Sequence, residues 1–380
     1  MADKYLIEPD VEFVKELQSL GGDTLKKCFQ CATCSVACPI APENKPFPRK
    51  EMIAASWGLK DRLVGNADIW LCHNCGDCTT MCPRGAKPGD VLGAVRAYAI
   101  SAYAVPKKLA SMINNPSFGS VMMLHVLLPA VLFVLLGLIT GLLDFSPGGD
   151  EIVHAKFFSS WLVDLIMVPT SMWMAAIFAL SLKGFLNDIH QNALLEGKTD
   201  KETIEIGGFL SALWRVIPTI LKHKKFSECG ENQERATSHL MVFYGFAGLF
   251  FVTAVFFVVL YVFQIHGPYQ QYNPMKWIAN VSGIALTIGG LLMVKERLSK
   301  TDQVSTFKDW YLIILALGLG VTGMLTEMTR LGGLAGLSYF TYFVHLIFVF
   351  NLFAYLPFSK LAHLFYRTVA MTYAEYAGRK

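Results

Sequence analysis

Two runs of four cysteines near the start of the chain constrain its fold more than any other feature. The runs are Cys28-x-x-Cys31-x-x-Cys34-x-x-x-Cys38-Pro39 and Cys72-x-x-Cys75-x-x-Cys78-x-x-x-Cys82-Pro83. Three cysteines two residues apart wrap one tight loop, so their thiolates can reach three irons of a single cubane. The fourth begins the next segment and points away, and in two-cluster ferredoxins it ligates the other cluster. The spacing therefore predicts two [4Fe–4S] clusters that exchange their fourth ligands.

This exchange assigns ligands from both runs to each cluster. We predict that cluster 1 is held by Cys28, Cys31, Cys34 and Cys82, and cluster 2 by Cys72, Cys75, Cys78 and Cys38. A pair of zinc sites is the alternative, but structural zinc usually takes two separated C-x-x-C pairs rather than an unbroken run of four. A disulfide framework is disfavoured because residues 1–10 contain no apolar stretch typical of an export signal.

The composition predicts a membrane protein with a globular N-terminal part. Of the 380 residues, 53% are hydrophobic and only 16% are charged, against about 25% charged in an average soluble domain. The net charge of +4 is small and no basic motif is present, so nucleic acid is not expected as a partner.

Six apolar runs follow the cysteine-rich part, each near the ~20 residues that a helix needs to cross ~30 Å of hydrocarbon. Their predicted bounds are 119–143, 157–182, 239–264, 276–294, 309–329 and 338–358. No segment alternates well enough to predict a strand. The predicted fold class is all-α, with a helical two-cluster ferredoxin-like domain at residues 1–111 and a six-helix transmembrane bundle at residues 112–380.

Basic residues predict the orientation of these helices. The loop 183–238 holds eight lysines and arginines and the loop 295–308 holds four, whereas the opposite loops offer little more than Lys156, Lys276 and Arg330. By the positive-inside rule, both basic loops, the cysteine-rich domain and both termini should lie on the cytoplasmic side of the inner membrane. Within the longer loop, residues 208–226 predict an interfacial amphipathic helix.

Histidines in the apolar runs predict haem, and hence a cytochrome b bundle. His345 and His363 are 18 residues apart, which on one helix is five whole turns and a rise of about 27 Å. Both imidazoles would then lie on one face, as ligands of two haems stacked across the bilayer. Pro357 between them is expected to kink the helix. A pair of intramembrane histidines beside an iron–sulfur domain favours ligation over packing.

Each haem iron needs a second ligand from another helix. His239, at the cytoplasmic end of the third run, is predicted to pair with His363. For His345 the nearest candidate by depth is His154, just before the second run. Alternatively, His125 in the first run replaces one member of these pairs or serves a quinone. The sequence leaves the number of haems, one or two, open. The other four histidines are expected to be solvated or packing residues: His73, His190, His223 and His266.

Charged residues near the outer ends of the runs are candidates for quinone chemistry. Asp164 and Glu327 lie at a depth similar to that of Lys276. The simpler interpretation is that these side chains reach lipid headgroups. The alternative is a quinone pocket in which a carboxylate relays the protons that quinone reduction and oxidation require.

Two parts of the chain resemble known families. The full cysteine runs, CFQCATCSVACP at 28–39 and CHNCGDCTTMCP at 72–83, are similar to the small iron–sulfur subunit of heterodisulfide reductase. From about residue 239 onward, the chain resembles the gamma (cytochrome b) subunit of respiratory nitrate reductase, through GGLLMVKERL at 289–298, GMLT at 323–326 and LPFSKLAH at 356–363. That resemblance implies two b haems with four histidine ligands. His345, His363 and His239 match three of them, and Leu249 stands where the fourth would fall.

A fusion of these two parts is similar to the membrane subunit of quinone-interacting membrane-bound oxidoreductases of sulfate reducers. The resemblance implies an electron-transfer subunit, not catalytic alone, that links the menaquinone pool to adenylylsulfate reductase through haem b and two clusters. It also implies soluble flavin and iron–sulfur subunits in the same complex. One alternative is the same electron path with a heterodisulfide-reductase-type or hydrogenase-type partner. Another is an iron–sulfur membrane anchor without haem.

Overall fold

The computed structural model describes residues 8–114, 116–149, 151–223, 228, 230, 235–299 and 305–379. Within these ranges the chain is helical and has no β-strand, which confirms the predicted all-α fold class. Parts of the predicted loops 183–238 and 295–308 lie outside the described residues, as do residues 1–7 at the start of the predicted domain. The predicted division at residue 111 falls within a helix, Lys107–Asn114.

Short helices build the N-terminal part around the cysteine runs. They are α1 (Val11–Leu17), α2 (Thr33–Val36), α3 (Arg49–Ser56), α4 (Lys60–Val64), α5 (Asp68–Leu71), α6 (Asp77–Thr80), α7 (Pro88–Tyr103) and α8 (Lys107–Asn114). Local sequence explains where α1 and α7 begin. The Asp10 carboxylate accepts the Phe13 N–H at 2.8 Å and so caps α1. Pro88 occupies the first turn of α7, where its missing N–H costs no helical hydrogen bond.

Six helices in the described part of the chain are long and apolar enough to cross a membrane, as the sequence predicted. They are Phe118–Thr140, which contains α9 (Phe118–Val121) and α10 (Leu128–Thr140), then α12 (Ser160–Leu195), α14 (Arg235–Tyr261), α15 (Pro274–Ser299), α16 (Phe307–Leu331) and Ala335–Phe358, which contains α17 (Ala335–Tyr355). Six helices of this length and apolar composition indicate a membrane protein. We call the end of the bundle near Phe118 and Phe358, which carries the N-terminal part, the proximal end, and the opposite end the distal end.

Three further helices flank the bundle: α11 (His154–Phe157), α13 (Ile206–Lys222) and α18 (His363–Tyr376). The α13 helix is amphipathic. Trp214 is 77% exposed and Leu210 is 56% exposed, whereas Ala212 and Val216 are buried. An exposed apolar face opposite a packed one is what a helix in the plane of the membrane interface requires.

The sixth span differs from the prediction, because His345 and His363 do not share one helix. After α17 ends, two 3₁₀ turns follow at Leu356–Phe358 and Lys360–Ala362, and Ser359 between them is extended (φ −94°, ψ 170°). Pro357 supplies no N–H to continue the helix. The five-turn geometry predicted for the two histidines is therefore wrong, and the break in the chain sets the position of His363.

The N-terminal part and the proximal end of the bundle share one hydrophobic core. Trp70 stacks on Tyr366 of α18 with ring centroids 5.1 Å apart, and Phe185 of α12 meets Trp70 edge-on at 5.8 Å. The α12 helix reaches this core because it continues to Leu195 rather than ending at residue 182. Aromatic rings buried on all sides hold the two parts in one arrangement.

A buried ion-pair network crosses the same junction. The fully buried Asp68 carboxylate accepts Lys50 Nζ at 2.5 Å, Lys198 Nζ at 3.0 Å and the Arg379 guanidinium. Burial alone would raise the pKa of Asp68, but the charges of Lys198, Lys50 and Arg379 outweigh burial and hold that pKa well below its usual range. The network therefore stabilises the junction through a carboxylate that stays ionised.

Asp68→Asn is expected to destabilise this junction by about 3 kcal/mol, because it leaves the buried Arg379 side chain without its carboxylate. Thermal unfolding of the purified protein in detergent, followed by the visible iron–sulfur absorbance, should show a lower midpoint. Glu12→Gln is the control, because the Glu12–Lys15 pair is exposed and contributes little. Equal midpoints for Asp68→Asn and the control would contradict the role of the network.

Candidate iron–sulfur and haem sites

The two cysteine runs fold into loops with the same backbone form. In the first loop, Gln30 and Ala32 flank the second cysteine with φ of 61° and 71°. In the second loop, Asn74 and Gly76 occupy the same positions with φ of 53° and 101°. Non-glycine residues in the left-handed region are uncommon. Turns that combine left- and right-handed residues direct backbone N–H groups to one centre, which suits an anionic cluster.

The structure brings the thiols together in the two sets that the spacing assigned. Burial, followed by the neighbouring Cys28 and Cys31 thiols, raises the pKa of Cys34 to about 11, and Cys82 adds to this effect. Burial and the neighbouring thiols raise the pKa of Cys78 as well. Those neighbours are Cys72, Cys75 and Cys38. The first set also lines one pocket, together with Arg49 and Arg84.

The two thiol sets can be compared with the geometry of a zinc site and with that of a cubane cluster. Among the described residues, no three His, Cys, Asp or Glu side chains converge on a point that would hold a single ion. A zinc ion needs its sulfur ligands at about 2.3 Å. In a [4Fe–4S] cluster, each of the four thiolates binds a different iron, so the sulfurs stand further apart around a larger centre.

Each cysteine set receives a hydrogen bond at one sulfur, but the two sets differ in how exposed their cysteines are. The Gln30 side-chain amide donates to Cys28 Sγ at 3.2 Å, and the Asn74 N–H donates to Cys72 Sγ at 3.3 Å. Such hydrogen bonds to sulfur help to set cluster potentials. The first set contains the exposed Cys31 as well as the buried Cys34, whereas in the second set Cys72 and Cys78 are buried and no cysteine is exposed. Cluster 1 would therefore lie at the protein surface, and cluster 2 would lie within the shared core.

His239 and His363 meet at the proximal end of the bundle, with ring centroids 6.3 Å apart. A metal-bound imidazole nitrogen lies about 2 Å from its metal and roughly 1 Å from its ring centre, so two imidazoles on opposite sides of one iron have centroids about 6 Å apart. His363 Nδ1 lies 2.7 Å from the Lys360 carbonyl oxygen and must donate to it. This hydrogen bond leaves Nε2 available as a ligand, the usual arrangement at metal sites. The pair fits one haem iron.

The structure also places His223 beside this pair, although the sequence predicts a solvated or packing role for it. His223 ends α13, and its ring centroid lies 4.9 Å from that of His239. This centroid distance is shorter than the ~6 Å expected for two imidazoles on opposite sides of one iron. His239 and His363 therefore remain the better pair. No periodicity connects His223 to the third span, and only the packing of α13 on the bundle reveals their contact.

His345 is held differently, towards the distal end. Its Nδ1 lies 2.9 Å from Thr322 Oγ1, and its ring rests against Gly323, where a Cβ would come within 3.1 Å of Cε1. The Nε2 atom of the candidate partner His154 lies 2.9 Å from Ser338 Oγ. The His154 ring stacks on Tyr342, which lies on α17 as Ser338 does. His154 lies within electrostatic range of His345, but its ring stacks on Tyr342 rather than on His345. The structure therefore supports the proximal pair more strongly than the distal one.

His125 packs against polar and aromatic side chains rather than against another imidazole. It sits in a π-helical segment, Met122–Leu127, and its Nδ1 lies 2.6 Å from Asn351 Oδ1. Its ring packs between Tyr311 and Tyr355 at centroid distances of 4.9 and 4.8 Å. π-Helical turns are frequent at functional sites. His125 thus belongs to a packed polar cluster that joins the first span to α17.

The structure separates the three charged quinone candidates into two groups at the distal end. Lys276 Nζ lies 2.9 Å from Glu327 Oε1, and Arg330 joins the same carboxylate at 3.1 Å. Asp164 has a different partner and accepts the hydroxyl of Tyr261. Lys276 and Glu327 therefore remain together as a paired site, and Asp164 does not join them.

Comparison with known proteins identifies the cysteine-rich part. Residues 24–86 match the model of the 4Fe-4S dicluster domain. Over 87 residues the chain is 37% identical to the C subunit of the H(2):CoB-CoM heterodisulfide,ferredoxin reductase of Methanothermobacter marburgensis, covering 23% of this chain and 47% of the relative. Over 106 residues it is 31% identical to an Archaeoglobus profundus protein described as similar to the C subunit of heterodisulfide reductase, covering 28% of this chain and 56% of the relative.

These matches concern the N-terminal part of the chain. The chain spans about half the length of the curated relatives it matches, and no solved structure matches it. All eight predicted cluster ligands fall within the matched domain. The N-terminal region is therefore a 4Fe–4S dicluster domain that resembles the small iron–sulfur subunit of heterodisulfide reductase, in a chain with six candidate membrane spans.

Proposed function

We propose that this chain is the membrane electron-transfer subunit of an oxidoreductase complex and carries electrons between menaquinone and a cytoplasmic partner. One observation carries the proposal. The α18 helix begins with His363 and packs against α5, which leads directly into Cys72. The proposed haem ligand His363 and the proposed cluster ligand Cys72 thus lie at the ends of two helices that pack against each other. Such proximity is useful to a chain that passes electrons and has no evident use in a simple membrane anchor.

The residues of the chain would hold the cofactors and set the distances between them. The two cysteine sets would hold the [4Fe–4S] clusters, and His239 with His363 would hold the proximal haem b. When bound, these groups supply one-electron redox chemistry. By the resemblance to the gamma subunit of nitrate reductase, His345 would hold a second, distal haem. His154 would have to give up its contact with Ser338 to serve as the other ligand of that haem.

Two places in the bundle are suited to menaquinone. The Lys276–Glu327 pair offers titratable side chains at the distal end, and the His125–Asn351 cluster offers a titratable imidazole near the proximal end. Quinone chemistry moves protons as well as electrons, so a titratable group must stand near the head group. The basic loops support a cytoplasmic location for the proximal end, in the inner membrane.

Soluble flavin and iron–sulfur subunits are the proposed neighbours in the complex. The surface around cluster 1 is suited to docking, because Phe29, Val36 and Met81 are 66%, 87% and 59% exposed. Such apolar exposure next to a redox centre favours a protein partner. The sequence resemblance implies adenylylsulfate reductase as the electron acceptor or donor. The similarity of the N-terminal part to heterodisulfide reductase favours a second candidate, a heterodisulfide-reductase-type partner.

The test is a redox titration of the whole purified protein under anaerobic conditions. Iron, sulfide and haem are measured first, and a soluble menaquinol analogue is then added. The proposal expects haem b in the preparation and reduction of its visible spectrum by the menaquinol. Full iron–sulfur content without haem would instead identify an iron–sulfur membrane anchor. A haem that neither menaquinol reduces nor menaquinone oxidises would overturn the quinone link.

A further inference from the structure

We infer that Arg367 is a positioning residue that couples cluster 2 to the His239–His363 site and sets the rate of electron transfer between them. The inference rests on the proposed function, and it names the contact through which that function would operate. Arg367 lies four residues after His363 on α18, so the two side chains leave neighbouring turns of the same helix face.

The guanidinium of Arg367 reaches across the junction to the cluster 2 loop. Its Nη1 donates to the Cys72 carbonyl at 3.2 Å, and its Nη2 donates to the Leu71 carbonyl at 3.3 Å. The same Nη2 lies 2.5 Å from Nε2 of His73, which must accept. One half-buried side chain therefore contacts the backbone of a predicted cluster ligand from the helix that carries a predicted haem ligand.

The chemistry of this contact requires arginine. Leu71 ends α5, so its carbonyl and that of Cys72 lie at a helix C-terminus, where carbonyls lack helical partners and carry partial negative charge. A guanidinium has five N–H donors in a planar fork and can serve two carbonyls and an imidazole at once. A lysine ammonium keeps the charge but cannot reproduce that planar geometry.

The charge of Arg367 also reaches the histidines on the bundle side of the junction. It lies within electrostatic range of His223, His239 and His363. A positive charge between two redox centres stabilises an added electron on either of them. In the transfer that Arg367 would support, one centre loses one electron and the other gains it. No bond forms or breaks, and no proton moves.

A second arginine allows the coupling role to be separated from a role in holding the cluster. Arg96 Nη1 donates to the same Cys72 carbonyl at 2.7 Å from within the N-terminal part. The carbonyl therefore keeps a partner when Arg367 is replaced, and cluster 2 should be retained. Arg215 offers a matched control on α13, because its ion pair with Glu375 of α18 at 2.8 Å contacts neither site.

The test compares Arg367→Met, Arg367→Lys and Arg215→Met in the full chain with its cofactors. Iron and haem contents are measured first. A soluble low-potential donor then reduces the clusters in a stopped-flow instrument, and the haem spectrum is followed in time. Haem reduction should slow about tenfold or more in Arg367→Met, and less in Arg367→Lys, while cluster reduction stays at the wild-type rate. Arg215→Met should match the wild type.

The outcomes separate this inference from the proposed function. Wild-type rates of haem reduction in Arg367→Met with full cofactor content would overturn the coupling role and leave the proposed function intact. A lower melting temperature with unchanged rates would show a structural role alone and would also overturn it. If Arg367→Met does not fold, Arg367→Lys decides by the same rate. A wild-type protein that contains no haem would overturn the proposed function, and the inference with it.

Discussion

His363→Ala and His239→Ala are each expected to remove the proximal haem completely. The ring centroids of the two imidazoles are 6.3 Å apart, close to the ~6 Å expected for two imidazoles on opposite sides of one iron. Each variant would leave that iron with a single protein ligand. A haem-to-protein ratio from the pyridine haemochrome spectrum measures the loss. Imidazole added during haem loading should restore binding in both variants, because the cavity left by the side chain can accept the free ring.

Two neighbouring histidines make this experiment specific. His266→Ala changes an exposed residue outside the spans and should leave the haem content unchanged. His223→Ala should also retain the haem, because the His223 ring stands too close to His239 to share an iron with it. Full haem content in both His239→Ala and His363→Ala would show that the ligands lie elsewhere. Loss of haem in His223→Ala, but not in His363→Ala, would reassign the pair.

Paired cysteine substitutions are expected to show that each cluster takes ligands from both runs. The double variant Cys28→Ala/Cys82→Ala removes two ligands of cluster 1 and should lower the non-haem iron content from about eight to about four per chain. The double variant Cys72→Ala/Cys82→Ala removes one ligand from each cluster, although both residues belong to the second run. It should lose most of its iron, since neither cubane keeps four thiolates. Iron and acid-labile sulfide assays measure both results.

The opposite result would identify a different ligand arrangement. If each run held its own cluster, Cys72→Ala/Cys82→Ala would retain about four irons and Cys28→Ala/Cys82→Ala would lose both clusters. Phe29→Ala/Val36→Ala serves as the control, because it changes two exposed side chains beside the same loops without removing a thiol. Zinc in place of iron in the wild-type protein would contradict both arrangements.

The amino-acid sequence by itself determined those features that depend on local spacing or on a fixed external dimension. Cysteines at fixed intervals in one loop can reach one cubane in few ways, so the order of residues predicts the two ligand sets. The matched dicluster domain covers these same cysteines. The thickness of a bilayer likewise sets the length of an apolar helix, so the six spans could be counted from hydropathy.

The tertiary structure alone decided which distant side chains meet. Periodicity placed His345 and His363 on one helix, but Pro357 and the extended Ser359 separate them. The contacts of His223 with His239 and of Arg367 with Cys72 depend on how α13 and α18 pack against the rest of the chain. Residues 72 and 367 are 295 positions apart, and no local pattern encodes such a contact. Only the packing of helices against one another brings these residues together.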